Sequence, residues 1–220
     1  MKLDPIVRER YPDFIAGYVL ASGVTVEPTI EGLEERKRQV FSDLKAKLGA
    51  VDLLELPEVK AYRAFYKVMG ADPASYRPAP EYLTKRALDD RFPSINNLVD
   101  SCLLATVEHW ASASVYDLEK VKGDVRTSLV AEAAPFELID GRKLSPKPGE
   151  IILRDDSKVL SAYTLGDAKT TMVSHKTSRI EIVVWNAPGI AREHVEAAVN
   201  SLAVYARRYC GGHIEHVEVL

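Results

Sequence analysis

The stretch that decides the fold is PSINNLVD, residues 93–100, which leads into an apolar helical run ending near Trp110. Asparagine and aspartate at the start of a helix accept hydrogen bonds from the unpaired backbone N–H groups of its first turn. Asn96, Asn97 and Asp100 are therefore predicted to begin and cap a buried helix. Partly buried polar groups at a helix start also form a cradle for a ligand. Asn96 and Asn97 are for that reason candidate ligand-binding residues.

Three further helices are predicted before this stretch, because apolar side chains recur there with helical spacing. The first begins after Thr29, which is its predicted N-cap, and ends at Gly49. The second starts at Pro57, since proline is favoured at the first helical position, and ends at Gly70. A short third helix covers residues 81–88.

Strands are predicted at the beginning and in the second half of the chain. Residues 14–27 are β-branched and aromatic with glycine breaks. After Gly123, short apolar runs alternate with turn signals, and a last helix over residues 191–208 precedes an alternating strand. Helices between early and late strands favour one α+β domain over residues 1–220, with mixed β-sheets flanked by helices.

Composition and charge exclude several classes of protein. A chain of 220 residues can bury a core without disulfides or metal. Its two cysteines exclude a disulfide scaffold and a four-thiolate zinc site. A net charge of −3 excludes a polycation that coats nucleic acid or membranes. No apolar run reaches the roughly 18 residues of a membrane span, so the expectation is a soluble, cytoplasmic protein with no membrane partner.

No motif for a familiar catalytic or metal site is present. The sequence lacks a nucleophile elbow, a phosphate loop and a dinucleotide fingerprint. His213 and His216 lie three residues apart on a predicted strand, a spacing expected to point them to opposite faces. We therefore predict no metal and no cofactor, and the residues alone do not identify a reaction.

Charge and aromatic residues concentrate between residues 60 and 91. This segment holds seven lysines and arginines against four acidic residues, and five aromatic residues lie among them, with Phe92 directly after. A mildly basic, tyrosine-rich surface is typical of contact with a phosphate backbone and stacked bases. The alternative is that Tyr62, Phe65 and Tyr66 are core residues and the cations are merely solvated. The predicted RNA-contacting residues are Arg63, Lys67, Arg77, Lys85 and Arg86.

The spacing of two motifs resembles a known module. INNLVD at residues 95–100 is followed, 17 residues after Asp100, by Asp117 within VYDLEKVKG, residues 115–123. LIDG at residues 138–141 completes the pattern. The sequence is similar to the B-three/B-four domain of the phenylalanyl-tRNA synthetase β subunit over roughly residues 60–185. Residues 66–86 resemble its free-standing bacterial and archaeal members.

The resemblance implies both a fold and a function. The fold is an α/β module with mixed sheets flanked by helices. In the synthetase this domain hydrolyses the ester of tRNA(Phe) wrongly charged with tyrosine. A chain that holds this module alone is not expected to aminoacylate tRNA. Asp100 and Asp117 are expected to be structural, capping and tying helices.

Several positions depart from the family pattern. The family's histidine falls on Ser114, and an asparagine falls on Leu103. A further family motif is LGDAKTT here, residues 165–171, which keeps the aspartate and one threonine but loses the arginine. The synthetase's acidic pocket residue aligns with or near Lys169. Tyrosine specificity therefore cannot be carried over to this chain.

Two functions follow from the resemblance. The first is a free-standing tRNA-binding domain that edits in trans, as a deacylase of mischarged aminoacyl-tRNA in translation quality control. The second is a non-catalytic module that binds tRNA or an amino-acid-like ligand, without hydrolase activity. The expected partner is the aminoacylated 3′ end of tRNA, which Arg77 and its neighbours contact in the first function, and no DNA is expected to bind. The residues expected to line the pocket are Asn96, Asn97, Asp167, Lys169 and Thr171.

Overall fold

The computed structural model describes residues 1–220, which form helices packed against three β-sheets. The helices are α1 (Pro5–Arg10), α2 (Glu31–Leu48), α3 (Pro57–Val68), α4 (Ala79–Leu88), α5 (Asn97–His109) and α6 (Arg192–Cys210). The strands are β1 (Lys2–Leu3), β2 (Ala16–Ser22), β3 (Ser112–Asp117), β4 (Arg126–Leu129), β5 (Phe136–Glu137), β6 (Lys143–Leu144), β7 (Ile151–Arg154), β8 (Val159–Ala162), β9 (Gly166–Asp167), β10 (Arg179–Trp185) and β11 (His213–Val219). The predicted fold class, α+β with mixed sheets flanked by helices, is confirmed.

A four-stranded antiparallel sheet lies at the centre, with strand order β11-β2-β10-β3. Side chains alternate between its two faces. Ile180, Ile182 and Val184 of β10 enter one core with α5 and α6, while Val183 and Trp185 enter a second core. Helix α6 lies so close to β2 that a Cβ added to Gly17 would come within 2.6 Å of a Val199 methyl.

The second core lies between this sheet and a five-stranded sheet of order β1-β4-β7-β8-β9. Strand β1 runs parallel to β4, and the other pairs are antiparallel. Tyr62, Phe65 and Tyr66 of α3 are buried in this core. The core interpretation of these three aromatic residues, which the sequence left open, is therefore confirmed.

Two asparagines, Asn96 and Asn97, fix the start of α5 through hydrogen bonds to the backbone. The Asn96 side chain accepts hydrogen bonds from the backbone N–H groups of Leu98 and Val99, as an N-cap does. Asn97 is fully buried and bonds to three backbone groups outside its helix. Its Oδ1 accepts from Glu27 N at 2.8 Å, and its Nδ2 donates to the carbonyls of Thr25 and Tyr209.

Asp100 and Asp117 have the structural roles that the resemblance implies. Asp100 accepts hydrogen bonds from Lys37 Nζ of α2 at 2.5 Å and from the backbone N–H of Ile95 at 2.9 Å. Asp117 accepts from the hydroxyl of Thr177 at 2.7 Å and from the backbone of Glu119. Both carboxylates are buried and hydrogen-bonded, so neither is free for a ligand.

Two helix starts differ from the prediction. The N-cap of α2 is Ile30, which makes no side-chain capping bond, and not Thr29. Helix α4 begins at Ala79, two residues before the predicted start at Glu81. Pro80 in its first turn does not interrupt it, because the N–H groups of a first turn lack helical partners in any case.

The predicted orientation of His213 and His216 is wrong. A β-bulge at Glu215 changes the register, so that His213 pairs with Ser22 and His216 pairs with Leu20. Those two partners lie two residues apart on β2 and share a face, and the histidines therefore share it as well. No helix combines the length and the apolar character needed to cross a membrane.

The two asparagines are predicted to contribute unequally to stability. Asn97→Ala should lower the free energy of unfolding by about 2–4 kcal/mol, because it removes the partner of two carbonyls and one N–H, of which the Tyr209 carbonyl is buried. Asn96→Ala should cost only about 1 kcal/mol, the value of a lost N-cap. Urea unfolding of both variants measures the difference. Equal costs would mean that the Asn97 bonds do not hold the three segments together.

Candidate functional site

A cavity of about 250 Å³ opens between β3, the β8–β9 turn and the loop that precedes α4. Its polar wall carries hydroxyl groups and one carboxyl group, and its other walls are apolar or aromatic. The lining residues are Tyr66, Arg77, Ala79, Leu103, Ser112, Ala113, Ser114, Tyr116, Ser161, Ala162, Tyr163, Thr164, Leu165, Gly166, Asp167, Val183 and Trp185. Six separate parts of the chain therefore build this cavity.

Asp167 is the one acidic residue of the cavity. It lies at the end of β9, where its Oδ1 accepts a hydrogen bond of 2.7 Å from the Tyr116 hydroxyl. Burial raises the pKa of Asp167 above the ordinary aspartate value, although the hydroxyls of Tyr116, Ser114 and Ser161 act in the opposite direction. A carboxylate with a raised pKa is a stronger base than an exposed one.

The aromatic residues make this cavity rigid. Tyr163 stacks on Trp185 with 5.8 Å between ring centroids, and its hydroxyl donates to the carbonyl of Asn186. The Tyr66 hydroxyl donates to the carbonyl of Tyr163. Because these side chains are fixed by packing and by hydrogen bonds to the backbone, the cavity is formed before any ligand enters.

Two of the positions that depart from the family pattern line the cavity. Leu103 projects from α5 and Ser114 from β3, and no histidine is among the lining residues. Lys169, a third departure, is on the surface. The cavity therefore has an apolar side chain and a small hydroxyl where the resemblance places an asparagine and a histidine, and Asp167 is its one carboxyl group.

The other predicted pocket residues lie elsewhere. The Asn96 and Asn97 side chains are committed to backbone groups, and neither lines the cavity. Lys169 is on the surface, where its Nζ contacts Glu137 Oε1 at 2.7 Å. Thr171 is buried, and its hydroxyl has no hydrogen-bond partner. Of the five predicted ligand residues, the structure brings only Asp167 into this cavity.

The segment that holds Asp167 also borders a second cavity. Asp167 faces the 250 Å³ cavity, whereas Ala168 and Thr170 line a larger one of about 510 Å³ on the outer face of the five-stranded sheet. Val130 and Ile152 form its apolar floor. One short segment, residues 167–170, therefore borders both cavities.

Three of the predicted RNA-contacting residues line a groove of about 510 Å³ beside α4, namely Arg63, Arg77 and Lys85. Arg63 binds the buried carboxylate of Glu81 through two hydrogen bonds, of 2.7 and 2.9 Å. Arg77 approaches the same carboxylate at 3.4 Å, while Lys85 pairs with Asp89. These cations are therefore held in place by acidic partners.

The remaining two predicted RNA-contacting residues differ in their surroundings. Arg86 donates to the carbonyl of Arg91 and to the Tyr82 hydroxyl. Lys67 is exposed on α3. Neither lines the groove or the 250 Å³ cavity.

Arg77 belongs to both the groove and the 250 Å³ cavity. It therefore connects the predicted ligand residue Asp167 with the predicted RNA-contacting side chains. Sequence reasoning missed Tyr116 and Ser161, since an isolated tyrosine or serine on a strand gives no signal of a site. Ser114 could have been found, because it stands where the family pattern has a histidine.

These features define a class of protein, an α+β domain with a small polar cavity beside a cationic groove. Residues 61–211 match the B3/4 domain family, and the chain belongs to that family. This confirms the family resemblance that the sequence motifs indicated.

Similar proteins of known function are much longer than this chain. The chain is 28% identical over 130 residues to the phenylalanine–tRNA ligase β subunit of Bradyrhizobium diazoefficiens, covering 58% of this chain and 16% of that protein. It is 21% identical over 155 residues to the same subunit of Mycoplasma pneumoniae, covering 68% of this chain and 19% of that protein. The chain thus spans less than a fifth of the length of these relatives.

A solved structure shares the fold. An N-terminal fragment of the phenylalanyl-tRNA synthetase β subunit from Pyrococcus horikoshii aligns with a TM-score of 0.51 and 13% identity. The alignment covers 99% of this chain and 53% of that fragment. At this identity the likeness establishes the fold alone.

The desolvated carboxyl of Asp167 is predicted to lower stability at neutral pH. Its folded-state pKa is raised, so stability is lost as the pH rises from the ordinary aspartate value through the folded value. Asp167→Asn should therefore raise Tm at pH 7.5 by roughly 2–4 °C, the shift that about 1 kcal/mol gives in a chain of this size. The gain should disappear near pH 3.5, where the native carboxyl is protonated.

Thermal unfolding at the two pH values measures this effect, and Asp140→Asn is the matched control. Asp140 is exposed and paired with Arg142, which lowers its pKa, so its replacement should give no gain at pH 7.5. A lower Tm for Asp167→Asn at neutral pH would mean that the carboxylate stabilises the fold, contrary to the prediction.

Proposed function

We propose that this chain hydrolyses mischarged aminoacyl-tRNA, and that the ester is cleaved in the 250 Å³ cavity lined by Asp167. The observation that carries the proposal is the position of Arg77, which is shared by this cavity and the cationic groove. A substrate with an acyl group next to a phosphodiester needs such a pair of adjoining sites. The proposed place of this reaction is the cytoplasm.

Hydrolysis of an aminoacyl ester requires few catalytic groups, because the ester is intrinsically labile. The site needs to position a water molecule and stabilise the developing oxyanion. Asp167, when ionised, accepts a proton from water as the water oxygen attacks the ester carbonyl carbon. The hydroxyls of Ser114 and Ser161 are proposed to orient that water.

Collapse of the tetrahedral intermediate completes the reaction. The bond between the carbonyl carbon and the ribose oxygen breaks, and the ribose oxygen takes the proton back from Asp167. The products are a free amino acid and uncharged tRNA. Because Asp167 must be ionised to act as a base, the rate should rise with pH through its raised pKa and then level off.

A non-catalytic function remains the second candidate, and one observation favours it. Leu103 and Ser114 stand where the family pattern has an asparagine and a histidine, so the cavity holds neither imidazole nor amide. In that case the same cavity binds an aminoacyl end or an amino-acid-like ligand without activating water. A ligand-binding role rests on the sequence alone for four residues, namely Asn96, Asn97, Lys169 and Thr171.

The test is a deacylation screen with a panel of correctly and wrongly charged tRNAs, followed against spontaneous hydrolysis. We expect selective hydrolysis of one mischarged species. Asp167→Ala should lower that rate about 10²–10⁴-fold, the contribution of a positioned general base. Asp140→Asn, which alters an exposed carboxylate outside the cavity, should keep the native rate.

Folding of both variants is checked by a cooperative thermal transition. Native activity in Asp167→Ala would contradict the proposed base. No hydrolysis across the panel, with tRNA still retained on filters at low salt, would leave the non-catalytic function in place.

A further inference from the structure

Two arginines share one buried carboxylate at the boundary between the cavity and the groove. Glu81 is 5% exposed and receives both Arg63 and Arg77. Two positive charges share this one carboxylate, and Asp72 is near enough to raise the pKa of Arg63. The Arg77 side chain is 47% exposed, so its guanidinium remains open to a further anion. We name this group the arginine fork.

Most other cations around the groove have a neighbouring carboxylate. Lys45 pairs with Asp90 at 2.6 Å, while Lys85 and Arg91 share Asp89, at 3.1 and 2.5 Å. Lys67 and Arg86 have no carboxylate partner, and neither lines the groove. The groove itself is lined by four cations and three carboxylates, and the chain as a whole carries −3. An extended track of unpaired positive charge along which a tRNA body would lie is therefore missing from this groove.

We infer that this site recognises only the short single-stranded end of its substrate, namely the aminoacyl-adenosine and the one phosphate next to it, with that phosphate bound by the arginine fork. The inference rests on the proposed function for the identity of the acyl group. The body of the tRNA contributes little to binding. The substrate class is an aminoacyl nucleotide, of which aminoacyl-tRNA is the large natural form.

Geometry and electrostatics support this assignment together. One ribose separates the ester from its nearest phosphate, and Arg77 lines both the cavity and the groove. Binding of single-stranded nucleic acid weakens with salt by a slope of about −0.7 in log K against log[salt] for each phosphate contacted. A single contact predicts a slope of about this size, whereas contact along a tRNA body predicts a much steeper one.

The test measures binding with amide-linked analogues, which cannot be hydrolysed. Three probes carry the same alanyl, seryl or tyrosyl group, namely a 3′-aminoacylamino-adenosine, the corresponding cytidylyl-adenosine dinucleotide with its one phosphate, and a full-length tRNA. We expect the dinucleotide to bind within about fivefold of the tRNA. The nucleoside should bind about tenfold more weakly than the dinucleotide, the loss expected for one charge-assisted contact.

Variants of the fork give the decisive comparison. Arg77→Ala should weaken the dinucleotide about tenfold and leave the nucleoside unchanged, so that the effect of the phosphate disappears. Arg77→Lys keeps a charge without the planar fork and should restore part of that effect. Arg142→Ala, which removes an exposed arginine paired with Asp140 outside both sites, is the control and should change neither probe.

The outcomes separate this inference from the proposed hydrolase. A tRNA that binds more than about fiftyfold tighter than the dinucleotide, or a salt slope of about −3 or steeper, would overturn the inference. Hydrolysis of charged tRNA with no binding of the short probes would overturn it while the deacylase function stands. Binding of the short probes without hydrolysis of any ester would support it and reject the deacylase. Binding of none of the probes would overturn both.

Discussion

The buried amide of Asn97 is the constraint on which the rest of the fold depends. It joins the segment after β2, the start of α5 and the end of α6 through three backbone hydrogen bonds. Those two helices cover one face of the central sheet, and α5 also carries Leu103 into the cavity. A buried amide that satisfies three backbone groups cannot be exchanged for an apolar residue without leaving them unpaired. The motif that identifies the family therefore preserves the scaffold.

Much of the fold was predictable because it follows from periodic burial. The apolar spacing of α2, α3, α5 and α6 reflects which faces meet a core, and the continuous apolar run of β10 reflects a strand that meets a core on both faces. The predicted cap at Thr29 failed because tertiary packing fixed the start of α2 at Ile30 without a side-chain cap. The orientation of His216 failed because the bulge at Glu215 depends on pairing with β2, which is not encoded in spacing along one strand.

The site was less predictable than the fold, for a physical reason. The polar wall of the cavity is assembled from β3, the β8–β9 turn and the loop before α4, which are far apart in sequence. Tyr116 and Asp167 are 51 positions apart, yet they form a hydrogen bond of 2.7 Å. Asp167 was predicted to line the pocket because it belongs to a family motif. Asn96 and Asn97 were predicted to bind a ligand because polar side chains at a helix start can bind a ligand as well as cap the helix.

The proposed chemistry differs from the family pattern because two of the sequence departures lie in the cavity. The polar side chains that fasten the fold, Asn97 and Asp100, are kept, while Leu103 and Ser114 change the walls of the cavity. Loss of an imidazole removes the usual group that titrates near neutral pH. Burial of Asp167 raises its pKa and moves a carboxyl toward that range. A desolvated carboxyl that lines a cavity is therefore a candidate for a residue that contacts a ligand.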